Sequence, residues 1–180
     1  MATPVLELVV ERFKSPRFNL VEESWSTRDG VITKAVIHHP GAVAVLAQPD
    51  ERSVVLVRQF RYAVRRWTLE IPAGTRSADE SAADTARREL LEETGYTCER
   101  LTEIMRMFPA VGVSDEELIL FRAEGLTPGA NAPEPGELVS TEVVAISDLP
   151  ALHGRGDICD AKTIIALAIL GSTVVPRPGA

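Results

Sequence analysis

"GTRSADESAADTARRELLEETGY", residues 74 to 96, carries Asp79, Glu80 and Asp84 ahead of Arg87-Arg88 and three glutamates after it. The chain as a whole has a net charge of -7. Repulsion should discourage such crowding, so the arrangement asks for a cause. The stretch has the marks of a helix. Ser81 stands where an N-cap belongs, with Asp84 three residues on closing a weaker capping box. Ala82, Ala83, Ala86 and Leu90 recur at helical spacing and form an apolar stripe. Gly95 predicts a left-handed C-cap.

On this helix Glu89, Glu92 and Glu93 fall at i, i+3 and i+4 and share one face. That face borders the apolar stripe, so the carboxylates sit where core meets solvent. Carboxylates crowded in this way raise each other's pKa unless a cation joins them. A cluster of hard oxygen ligands suits Mg²⁺ or Mn²⁺. Helix geometry alone also allows a solvated acidic face, with Arg88 paired to Glu92 one turn on.

The rest of the chain bounds the reading. Its 180 residues are enough for one domain with a small arm, and 45% hydrophobic and 25% charged content is ordinary for a globular protein. No apolar run approaches the length that spans a bilayer, and the first residues, MATPVLELVVERF, lack the basic-then-apolar pattern of a secretory signal. Cys98 and Cys159 lie far apart in sequence, which fits a reducing cytoplasm better than a disulfide framework. The acidic balance argues against nucleic acid as a partner. It also means that a phosphate-bearing substrate needs a metal cation or a local cluster of arginines.

Strand patterns fill the first third of the chain. Residues 5–13 are apolar and β-rich; 18–28 and 31–38 flank Asp29-Gly30, a type I′ hairpin signal. Residues 41–48 and 53–64 predict buried strands around a polar turn, and 67–74 another. After the acidic helix come strands at 101–107 and 117–123, a Pro/Gly/Ala loop at 127–136, a strand at 137–146 and a helix at 160–170. His153 falls in a loop, and no serine–histidine–acid arrangement can be assembled from spacing. The order of strands, helix, strands, helix predicts a mixed sheet with helices on its faces.

The full spacing of the opening stretch is specific. Five residues separate Gly74 from Glu80, seven more separate Glu80 from Arg88-Glu89, and Leu90, Leu91, Glu92-Glu93, Thr94, Gly95 and Tyr96 follow. This resembles the Nudix hydrolase box: each charged and glycine position matches, as does Leu90, while Tyr96 stands where a bulky aliphatic is more usual. The resemblance implies an α/β (α+β) Nudix fold: a mixed β-sheet sandwiched between helices, with an N-terminal antiparallel strand region. It implies hydrolysis of a nucleoside diphosphate linked to another group. Carried over by position, Glu89, Glu92 and Glu93 would be metal ligands, joined by the Ala73 carbonyl. Glu80 would lie near the metal, Arg88 would orient the glutamates, and Gly74 and Gly95 would shape the loops at either end.

Beyond the box, "HHPGAVAVL", "LVRQFRYAV", "TLEIPAG", "SDEELILF" and "GDICDAKTIIALAIL" resemble the ADP-ribose pyrophosphatase group over roughly residues 30–170. That group implies a homodimer formed by exchange of N-terminal strands. Residues 1–38 would then be the dimerisation arm, 39–172 the hydrolase domain and 173–180 a flexible tail. Arg61 would contact the substrate's phosphates or terminal ribose; by residue type alone it is equally an edge arginine. Gln59 and Arg61 share a strand face by alternation. Glu70 would hold substrate or a partner-chain group, or else be a surface strand charge. Phe18 would stack on adenine across the dimer, or be buried in the N-terminal sheet. For the catalytic base, the stretch "NAPEPGELVSTEVV" offers Glu134 and Glu137, with Glu142 inside the following strand. The match of "ELVSTEVVAISDL" favours Glu137.

The expected reaction is metal-dependent hydrolysis of ADP-ribose to AMP and ribose 5-phosphate. The alternatives are another ADP- or GDP-sugar as substrate, and a non-catalytic domain that senses a nucleotide. Two departures from the group bear on the substrate: Val111 stands where a proline is usual, and Lys34-Ala35 where an Arg-Glu pair is expected.

Overall fold

The computed structural model describes residues 2–130 and 139–171. An N-terminal antiparallel sheet comes first, in the order β1 (Val5–Lys14), β2 (Asn19–Thr27), β3 (Gly30–His38). The β2–β3 turn sits one residue earlier than the sequence suggests. Thr27 pairs with Gly30, and Arg28-Asp29 form the turn. Asp29 is not left-handed, so the turn is not type I′; the positive φ falls on Gly30, at 120°.

The remaining strands form two sheets. One runs β7 (Ala73–Thr75), β4 (Ala42–Ala47), β9 (Leu118–Pro128), β8 (Tyr96–Met107); the other runs β10 (Val139–Ala145), β5 (Ser53–Arg61), β6 (Arg66–Glu70). Strand β4 pairs parallel with β9 and antiparallel with β7, so the first of these sheets is mixed.

Strand β4 explains its own sequence. All six of its residues are buried, as a strand covered on both faces requires. Ala42, Ala44 and Leu46 join a core with Leu56, Leu69 and Leu120, and helices α2 (Leu149–Arg155) and α3 (Ala161–Ile169) close it. Val43, Val45 and Ala47 point the other way, into a core with Ile119 and Phe121 that α1 (Ala82–Thr94) covers through Ala86 and Leu90. The mixed sheet is thus layered between helices, as expected.

Strands β8 and β9 run longer than the sequence predicts, from Tyr96 and on to Pro128, and two other elements differ in kind. The strand expected at 67–74 breaks at Ile71-Pro72 into β6 and β7, which belong to different sheets. Proline cannot donate to a ladder, but its carbonyl accepts from Val45 N at 2.8 Å, and the chain crosses from one sheet to the other there. His153 lies in α2, not a loop; that short helix starts with a proline in its first turn and ends on Gly156 in the left-handed conformation. Helix α1 ends as expected: Ser81 accepts from Asp84 N, and Gly95 caps the C-terminus with φ 76°.

Candidate active site

A cleft of about 1090 Å³ opens between α1, the C-terminal end of β5, β7 and the start of α3. Glu80, Glu89, Glu92 and Glu93 line it, as do Arg61 and Arg88. The residues singled out from the sequence on α1 and β5 therefore converge on one site.

Arg88 is the centre of the acidic wall. Its Nη1 lies 2.8 Å from both Glu89 Oε1 and Glu92 Oε2, and its Nε lies 3.2 Å from Glu80 Oε1. Partial burial of the guanidinium works against its charge, but Glu80, Glu89 and Glu92 outweigh that and raise its pKa further. Arg87, its neighbour, turns away and donates to the Cys98 carbonyl. Glu93 is buried and accepts from Ala73 N at 3.0 Å, which ties the helix to β7. Thr141 of β10 donates to the Glu93 carbonyl, so the strand that follows residue 138 is anchored at this same turn of α1.

Gly74 has a steric cause. A Cβ at this position would collide with the Glu89 carboxylate, which occupies that space. The box glycine is thus what lets a carboxylate pack against the backbone of β7. The donors gathered here are hard oxygens suited to a divalent cation. As they stand, no three acidic, histidine or cysteine side chains among the described residues converge on a single point. Three of the four carboxylates are fanned around Arg88 instead.

The second wall is built from β5, β6 and α3. Glu70 is not a surface charge: it is 1% exposed. Its Oε1 accepts from Arg61 Nε at 2.8 Å and Thr68 Oγ1 at 2.6 Å. Its Oε2 accepts from Arg61 Nη2 at 2.6 Å and from Lys162 Nζ. Burial would raise its pKa, but Arg61 and Lys162 overcome burial and bring it to about 2. Lys162 also reaches Asp160 Oδ2 at 2.7 Å, and the same oxygen caps α3 by accepting from Thr163 N. The sequence reading missed Thr68, Asp160 and Lys162 as members of the site. The available signal was a single lysine between a capping aspartate and an otherwise apolar helix.

Phe18 is not buried in the N-terminal sheet. It is 38% exposed, lies 6.0 Å from Phe13 between ring centroids, and lines the cleft of its own chain. His39 also lines the cleft, and its Nδ1 accepts from Gly41 N. Glu142 lies in β10 as expected and pairs with Arg58. Glu134 and Glu137 lie outside the described residues. Val111, Lys34 and Ala35 are exposed and do not line the cleft.

Comparison with known families matches the NUDIX domain to residues 37–167. The chain belongs to the NUDIX family. Its curated relatives include the ADP-ribose pyrophosphatase of Bacillus subtilis (strain 168), 40% identical over 139 residues, covering 76% of this chain and 75% of that protein. The methanol dehydrogenase activator of Bacillus methanolicus is 35% identical over 139 residues, with the same coverage of 76% and 75%. The ADP-ribose pyrophosphatase of Mycobacterium tuberculosis (strain ATCC 25618 / H37Rv) is 31% identical over 156 residues, covering 83% and 75%. A crystal structure of an ADP compounds hydrolase shares the fold with a TM-score of 0.78, at 19% identity over 97% of this chain and 98% of that one.

Proposed function

We propose that this NUDIX protein hydrolyses the diphosphate of ADP-ribose to AMP and ribose 5-phosphate, with Mg²⁺ or Mn²⁺ as the cofactor. The observation that carries this reading is the meeting of the acidic face of α1 and Arg61 in one cleft. Two relatives named ADP-ribose pyrophosphatase support the choice of substrate.

Glu89, Glu92, Glu93 and the Ala73 carbonyl are the groups that would hold the cation. Bound there, a divalent cation supplies charge neutralisation at the diphosphate and a lowered pKa for bound water. The protein's own groups do the rest. Arg88 holds Glu89 and Glu92 in place and keeps the crowded face from splaying. Arg61 takes the substrate's phosphate or terminal ribose, and the Phe18 ring stacks on the base. Because both oxygens of Glu70 are already engaged by the chain's own donors, Glu70 acts on substrate through Arg61. Glu137 accepts the proton of the attacking water, from the segment that enters β10.

A second copy of the chain is the proposed partner. Strand β1 is exposed along almost its whole length, and Val5, Leu8 and Phe13 are each more than half exposed. An apolar edge strand of this kind is a template for pairing, so a homodimer through residues 1–38 covers it. Light scattering after gel filtration should give twice the 19.5 kDa chain mass. Among the described residues no helix is long and apolar enough to cross a membrane, and a cytoplasmic site of action fits the two free cysteines.

The function is tested by chromatography of the products. ADP-ribose with Mg²⁺ or Mn²⁺ should give AMP and ribose 5-phosphate in equal amounts, and no AMP from neutral to alkaline pH would overturn the proposal. The second reading keeps the reaction and changes the sugar. Ranking ADP-ribose, ADP-glucose and GDP-mannose by kcat/KM separates the two.

A further inference from the structure

We infer that Lys162 is a positioning residue for substrate binding, acting through Glu70 to aim Arg61 into the cleft. The inference rests on the reading of Arg61 as a substrate contact and goes one layer behind it. Lys162 sits in the first turn of α3, and its side chain is 12% exposed. Its ammonium bridges Glu70 Oε2 and Asp160 Oδ2, the first on β6 and the second at the cap of its own helix.

The geometry around Glu70 gives Lys162 its effect. Each carboxylate oxygen takes one bond from Arg61 and one from a second group: Thr68 on Oε1, Lys162 on Oε2. Arg61 is the member of the group that reaches solvent, at 40% side-chain exposure, against 2% for Glu70. A half-exposed arginine on a strand end has many rotamers open to it. Its guanidinium plane is set by a bidentate bond to a carboxylate that cannot itself turn. Thr68 and Lys162 are what prevent that carboxylate from turning.

Charge balance points the same way. Arg61 and Lys162 carry two positive charges, and Glu70 and Asp160 two negative ones. Without the lysine, Asp160 loses this ion pair and the buried Glu70 keeps only Arg61 of its two cations. A buried carboxylate left short of a partner relaxes by taking a proton or by shifting, and either change ends the bidentate hold on Arg61. The ion pairs of Lys162 run to Glu70 and Asp160, on the wall that faces substrate through Arg61. The expected signature is therefore on binding rather than turnover.

Steady-state kinetics with ADP-ribose at saturating Mg²⁺ test the inference, using Lys162→Met, Lys162→Arg and Arg61→Ala. Lys162→Met should raise KM about ten-fold, the scale of one charge-assisted hydrogen bond, with kcat within about three-fold of wild type. Lys162→Arg should restore most of the lost affinity. If Lys162→Met fails to fold by circular dichroism, Lys162→Gln, which keeps a donor without the charge, should show the same rise in KM. A fall in kcat and melting temperature at unchanged KM would assign Lys162 a purely structural role and overturn the inference. So would an unchanged KM in the folded Lys162 variant when Arg61→Ala raises it. An Arg61→Ala enzyme with wild-type KM would overturn the Arg61 reading and this inference with it, while hydrolysis of ADP-ribose would still stand.

Discussion

On the α1 wall of the cleft, Glu80, Glu89 and Glu92 share one guanidinium, and Glu93, one turn after Glu89, lies buried. On the second wall, Arg61 and Lys162 meet Glu70 and Asp160, two cations for two carboxylates. Both walls are dense in charge, but only the first carries a negative excess among these groups. That excess suits it to a divalent cation. The balanced wall has no such excess and instead presents one arginine oriented by its bidentate bond to Glu70. Crowded carboxylates thus have two uses in one site, and the number of cations built in beside them separates the uses.

The largest effect that could break this division is on turnover. Glu93→Gln removes a charge from the acidic wall while leaving an oxygen for Ala73 N, and should lower kcat by about 10⁴-fold or more with the fold intact. Near-normal activity at saturating metal would empty the wall of its proposed role. Glu137→Gln should lower kcat by roughly 10²–10⁴-fold, the span of a lost general base; an unchanged rate would move that role to Glu134 or to α1. Gly74→Ala sharpens the picture in steric rather than electrostatic terms. The added methyl displaces the Glu89 carboxylate, and a misplacement of about 1 Å should cost about 10²-fold in kcat.

The smallest effect lies away from both walls. His38 holds the N-terminal sheet to the rest of the chain: Nδ1 meets Asp115, and Nε2 lies 3.2 Å from Glu23 Oε1. The hydrogen bond to Asp115 raises the His38 pKa above 6.5, opposed by partial burial. Burial opposes the ionised form of Asp115, yet the His39 amide and His38 hold its pKa below 3.8. The clamp is fully present from pH 3.8 to pH 6.5. It is lost as pH rises through the raised His38 value or falls through the lowered Asp115 value. His38 is partly exposed, so screening keeps the effect small: His38→Ala should lower the melting temperature by only about 1–2 °C at pH 6 and less at pH 9.

Much of this architecture was legible in the sequence because its signals are local. The cap at Ser81, the stop at Gly95 and the i, i+3, i+4 glutamates are set within one helix, and the structure places them as read. The doubly apolar run of β4 is equally local. What escaped the sequence depends on contacts between distant segments. The break at Ile71-Pro72 follows from β6 and β7 joining different sheets. Helix α2, seven residues long with a histidine and a glycine in it, has too weak a periodicity to announce itself. Lys162 meets Glu70 across 92 positions of chain, and no spacing rule reaches that far. The steric reason for Gly74 was hidden for the same cause, since it needs the Glu89 side chain in place.

The division between the two walls is tested most directly by calorimetric titration of Mn²⁺ into wild type, Glu93→Gln and Lys162→Met. Glu93→Gln should bind Mn²⁺ at least about ten-fold more weakly than wild type, and Lys162→Met should match wild type. Equal affinity in all three proteins, or a loss confined to Lys162→Met, would contradict the account.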